Sequence, residues 1–216
     1  METNKFELRW ENFWQTLNVE NDFQAIYGYR MLRILYSFPA RSYHSLENHI
    51  QHCLTEFDAV KHLANDPKAL EFAIWFHDCI YDTKLQGIEE RSADMATMLI
   101  RMAQLPHHLR AKVVDLILAT RHIDIPTTND VQLICDIDLS PLGLPWEQFD
   151  QNTKYIREEY AHVPLPQFAE GRLRILQAKL DQKHIYRTSY FRDKYEAQAV
   201  ENLTRYCHEL TLIPFG

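Results

Sequence analysis

The chain has 216 residues, 30 of them acidic and 23 basic, for a formal net charge of -7. With a hydrophobic fraction of 46% it has enough apolar material for a substantial core. Its five glycines are isolated, which excludes the glycine-rich phosphate loops of dinucleotide-binding and P-loop folds. The acidic balance and the absence of a Lys/Arg cluster argue against a nucleic-acid partner. No apolar run approaches a membrane span, and the opening Met1-Glu2-Thr3-Asn4-Lys5 is polar, without a signal-peptide core. Cys53, Cys79, Cys135 and Cys207 are widely spaced, as expected of a reducing, cytoplasmic setting and not of a zinc knuckle.

Apolar residues recur at helical spacing almost throughout, which predicts an all-α fold. The first two helices are expected over Phe6 to Leu17 and Phe23 to Tyr36. Trp10, Phe13 and Trp14 in the first either pack on the core or mediate a homodimer. A third helix is expected from Tyr43 to about Ala64. Asn65-Asp66-Pro67 stops it and restarts a fourth, with Asp66 as N-cap and Pro67 in the first helical position. That helix, Lys68 to about Asp78, carries Phe72-Ala73-Ile74-Trp75-Phe76 and is expected to be buried on all sides. After a loop from Tyr81 to Gly87, helices are expected over Glu89 to Ala103 and Pro106 to His122. Asp130 to Asp138 reads as a buried helix, although Val131 to Cys135 has strand character as well. Pro145 to Tyr160, Pro166 to Leu180 and Arg192 to Leu210 complete the set.

Four residues in apolar settings stand out: His44, the adjacent pair His77-Asp78, and Asp138. Carboxylates there are costly unless paired, hydrogen-bonded or bound to a cation. Two imidazoles and two carboxylates form a mixed N/O ligand set, suited to a transition-metal dication with positions left for water. Adjacent residues of a helix point about 100° apart. His77 and Asp78 can therefore share a metal only at an irregular helix end, which the following loop permits.

In order along the chain, Arg41 to Ile50, Ala73 to Asp82, Glu89 to Ala93, Ala119 to His122, Asp136 to Gly143 and Glu196 to Leu203 resemble the HD-domain superfamily. The closer likeness is to a subgroup described as predicted metal-dependent phosphohydrolases. The resemblance implies one HD-domain-like helical bundle over residues 1–216, with a metal-site core at about 41–143. It implies that His44, His77, Asp78 and Asp138 hold one divalent ion (Mn, Fe, Co, Ni, Zn or Mg), with Asp136 an alternative to Asp138 or a hydrogen-bonding neighbour.

Asp82 or Glu89 would then orient or deprotonate the attacking water, and His122 would assist the leaving group. Arg41 and His49 are candidate contacts to the substrate phosphate. Bland alternatives stand beside three of these. Asp82 reads equally as a loop acid, Glu89 as a helix-start acid, and His122 as a cation at a helix C-terminus. Trp75 and Phe76 read as core, and Glu196 and Asn202 have no assignable chemistry. The expected substrate is a small phosphoester, a nucleotide above all. The rival readings are an HD-type di-iron oxygenase and a non-catalytic nucleotide-binding or interaction protein.

Overall fold

The computed structural model describes residues 5–19, 22–39 and 41–214; the polar Met1–Asn4 stretch lies outside them. The fold is all-α: ten α-helices joined by short 3-10 and π turns, with no strand among the described residues. No helix among them is long and apolar enough to cross a membrane. The chain divides into two compact units, Met1–Ile134 and Cys135–Gly216, and the boundary falls within α7 (Asn129–Leu139). Val131 to Cys135 is therefore helical.

The first unit contains α1 (Lys5–Thr16), α2 (Asp22–Ser37), α3 (Gln51–Val60), α4 (Pro67–Phe76), α5 (Ile88–Met102) and α6 (His107–Ala119). α4 is its centre. Ala69, Leu70 and every residue from Phe72 to Phe76 are buried, and α1, α3, α5 and α6 all pack against it. Trp10, Phe13 and Trp14 belong to this core: Trp10 meets Trp75 edge-on at 5.5 Å between ring centroids. The Trp10 indole N–H donates to the Ala25 carbonyl at 2.8 Å, so the ring is buried with its polar edge satisfied. Each such ring removed from water contributes on the order of 2 kcal/mol.

The start of α4 is capped as its sequence predicts. Asp66 accepts from the Ala69 N–H at 3.1 Å, and Pro67 occupies the first turn. Asp130 accepts in turn from the Asn65 and Asp66 N–H groups at 2.7 and 3.0 Å. Burial pushes the Asp66 carboxyl up, but the Ala69 N–H and the Lys112 ammonium outweigh it and hold its pKa below the ordinary value. Asp66→Ala is expected to cost about 1 kcal/mol in urea unfolding at pH 7. Because the folded-state pKa is lowered, that difference should persist above the normal carboxylate pKa. It should fade as pH falls through the lowered one. A difference unchanged down to pH 2 would show that the cap's charge contributes nothing.

The third predicted helix is not continuous. Residues 42–45 form bends, Leu46–Ile50 is a single π turn, and α-helical geometry begins only at Gln51. Ser45 causes the delay: its hydroxyl accepts from the Asn48 N–H, while the Tyr43 carbonyl accepts from both Ser45 and His49. Tyr43 and His44 thus precede the helix and do not open it. α6 is likewise shorter than predicted. It ends at Ala119, and His122 lies beyond it with φ 55°.

The second unit packs α8 (Trp146–Glu159), α9 (Leu165–Leu180) and α10 (Ser189–Thr211) with a 3-10 turn over Ser140–Gly143. A Cβ on Gly143 would stand 2.6 Å from the Tyr195 Cβ, so only glycine lets this turn lie against α10. The Asn202 amide clamps the same turn by donating to the Leu142 and Leu144 carbonyls at 2.8 Å each. Glu196 and Asp136 hold the chain between α9 and α10. Glu196 accepts from the Ile185 and Tyr186 N–H groups, and Asp136 from those of Arg187 and Thr188. Glu196 and Asn202, motif residues without evident chemistry, and Asp136, the alternative ligand, therefore have architectural work in this unit.

Candidate metal centre

The end of α4 is irregular, as a shared role for His77 and Asp78 requires. The last helical hydrogen bond runs from the His77 N–H to the Ala73 carbonyl, and residues 77–80 form turns and bends. Two devices fix this end. Ser92, fully buried on α5, bonds through its hydroxyl to both the N–H and the carbonyl of Ile80. On the other side Arg41 donates from Nη1 to the carbonyls of His44 and Asp78, and from Nη2 to those of Leu35 and Cys79. The sequence suggests Arg41 as a contact to substrate phosphate; its terminal nitrogens are instead committed to backbone. Gly87, with φ 66°, lets the chain turn from the loop into α5.

Three side chains converge at this helix end. His49 Nε2 lies 3.1 Å from His77 Nε2, and Asp78 Oδ2 lies 3.4 Å from the first and 3.3 Å from the second. His49 is 3% exposed and His77 2%. The His77 Nδ1 lies 3.0 Å from the Ile74 carbonyl. A carbonyl only accepts, so Nδ1 carries a proton and Nε2 is the nitrogen that faces the cluster. Burial pushes the Asp78 carboxyl up, but the imidazoles of His77, His44 and His49 overcome it and hold Asp78 far below the ordinary carboxylate range.

These spacings suit a shared cation. Two ligands about 2.1 Å from one ion stand roughly 3.0 Å apart at a right angle and roughly 3.4 Å apart at a tetrahedral angle. The three observed separations fall within or at the edge of that interval. Cys53, one helical turn beyond His49, joins His49 and His77 in a donor group that can hold a metal ion. Its sulfur lies 3.7 Å from His49 Nε2 and 3.8 Å from Nδ1, beside the ring and not along one lone pair. Asp78 therefore makes the better third donor.

The structure brings His77 and Asp78 together as expected, but their partner is His49, placed in the sequence as a phosphate contact. His44 sits outside this triangle. Its ring stacks on Tyr81 at 3.9 Å and stands 5.7 Å from the His49 ring. Asp82 closes the following loop by accepting from the Lys84 N–H, and Glu89 occupies the first turn of α5. Asp138 is half-buried in the second unit, one residue before the end of α7. Asp136, its alternative, spends both oxygens on the Arg187 and Thr188 N–H groups and the Thr188 hydroxyl. His49 and Cys53 carry a sequence signal, their i, i+4 spacing on one helix face. No family model, curated protein or solved structure matches the chain.

Proposed function

We propose that the chain is a metal-dependent phosphohydrolase of the HD type, acting on a small phosphoester such as a nucleotide. The triangle of His49, His77 and Asp78 carries this reading: two imidazole nitrogens and one carboxylate oxygen at ligand spacing, with the His77 ring oriented by its Nδ1 on the Ile74 carbonyl. The sequence resemblance adds Asp138 as a fourth ligand. A divalent cation held by this set would supply an activated water and polarise the phosphate.

The protein's own groups then have separate tasks. His49, His77 and Asp78 bind and orient. Asp82 or Glu89 takes the proton of the attacking water, and His122 returns a proton to the leaving oxygen. One water is consumed, the phosphorus–oxygen bond of the ester breaks, and an alcohol and a phosphate leave. His44, on the Tyr81 ring, is assigned to the mouth of the site as a substrate contact.

Metal analysis of the purified chain beside Asp78→Ala is the test, followed by a phosphoester panel with the metal found. About one divalent ion per chain, lost in the variant together with turnover, is the expected result. Two irons per chain would replace this reading with the oxygenase. No metal in wild type after reconstitution would overturn it.

A further inference from the structure

We propose that the outer face of α2 is a self-association surface, on which a second copy of this chain docks its own α2 in antiparallel order. The inference is independent of the metal centre and of the reaction assigned to it.

α2 is apolar on two sides. Its inner side, with Ala25, Tyr29, Leu32 and Tyr36, is buried, and α1 and α5 pack against the helix. The approach is close there: a Cβ on Gly28 would stand 2.7 Å from the Leu99 side chain and 2.9 Å from the Trp10 ring. The opposite side faces water. Phe23 is 62% exposed, Ile26 49%, Tyr27 37% and Ile34 69%, and Phe38, just past the helix end, is 79% exposed. A helix with apolar residues all round is normally buried all round. These five side chains leave on the order of 500 Å² of apolar surface in water, near the upper end of what a monomer carries in one patch. With Arg30 and Arg33, also exposed, the face approaches the roughly 800 Å² that each subunit contributes to a stable dimer.

The pattern is self-complementary. Phe23, Tyr27, Arg30 and Ile34 follow one another at steps of four, three and four residues, which is one seam of a helix. Turned end for end about a two-fold axis, the seam sets Phe23 against Ile34 of the second copy and Tyr27 against its Arg30. The reciprocal contacts follow by symmetry. The Phe23 and Tyr27 rings already stack at 6.3 Å, a preformed apolar platform. Arg30 has no ion pair or side-chain hydrogen bond among the described residues, and the facing Tyr27 ring gives it a cation–π contact. A lipid surface fits this face less well. Arg30 sits in the middle of the seam, where insertion would bury its charge, and anionic headgroups repel a chain of net charge -7.

Sedimentation velocity of the full chain across the micromolar range is the test. The wild type should show a monomer–dimer equilibrium with dissociation on the order of micromolar. I34D should weaken it by at least about 100-fold, because its carboxylate would be buried unpaired in the seam, while melting temperature and metal content stay as in wild type. F23S is the second variant; both positions are exposed, so the monomer fold tolerates either change. A short bismaleimide reads the order of the helices. Residues 23 and 34 of one chain stand about 16 Å apart along α2, and the four native cysteines are buried. F23C/I34C should therefore give a covalent dimer, and F23C alone should not. A wild type that stays monomeric, or a dimer that I34D and F23S both leave intact, overturns the surface. Equal cross-linking of F23C alone overturns the antiparallel order. A monomer that binds phosphatidylserine vesicles, and loses them in I34D, would put a membrane in place of the second copy.

Discussion

Replacing His49 with alanine is expected to weaken metal binding by more than about 100-fold, whereas His44→Ala should leave it within a few-fold of wild type. The sequence suggests the reverse, since His44 stands where the resemblance puts the first ligand. The geometry favours His49, whose Nε2 stands 3.1 Å from His77 Nε2 and 3.4 Å from Asp78 Oδ2. His44 stacks against Tyr81 and acts on Asp78 through its charge. Competition with a chelator, read by metal analysis, separates the two. Because His49 is buried, its truncation also removes packing, so His49→Gln serves as the companion that keeps most of the shape. A wild-type affinity in His49→Gln with a lost metal in His44→Ala would restore the sequence-based assignment.

The difference between those assignments has a local cause. Continuous α-helical geometry from Tyr43 would set the facing of both histidines by a 3.6-residue period. The π turn over Leu46–Ile50 widens that period just where it decides which imidazole meets α4. The instruction for the turn is the Ser45 side chain and the Tyr43 carbonyl, a short polar pattern that hydrophobic periodicity does not report. Features written in adjacent residues were legible. Asp66-Pro67 marks the start of α4, and its unbroken apolar run announces a buried helix. The His77-Asp78 pair was legible because an apolar run ending in two polar residues is conspicuous. Asp136, Glu196 and Asn202 were visible as motif residues but not as braces. Asp136 and Asn202 act on backbone groups more than fifty residues away, and Glu196 acts on amides in the preceding connection. Backbone acceptors have no side-chain signature.

Arg41→Lys is expected to destabilise the first unit by about 3 kcal/mol and to loosen the metal site with it. One guanidinium gathers carbonyls from two sides of the centre: Leu35 and His44 from the segment leading to His49, Asp78 and Cys79 from the end of α4. It lies over the Tyr36 and Tyr81 rings at 5.1 and 5.8 Å, so its planar shape is used as well as its charge. Lysine keeps the charge but offers three donors on one nitrogen and no plane, and cannot span both pairs of carbonyls. The carbonyls left behind are partly shielded from water and lose their partner. Urea unfolding measures the stability term, and chelator competition on the still-folded variant measures the site. If Arg41 positions the triangle, metal affinity should fall about ten- to hundred-fold, as for other residues that orient ligands without touching the metal. A lower stability with unchanged metal affinity would confine Arg41 to holding the fold. The Asp78 and Cys79 carbonyls would then be free to move without moving the Asp78 carboxylate, and Ser92 would be the brace that holds the site.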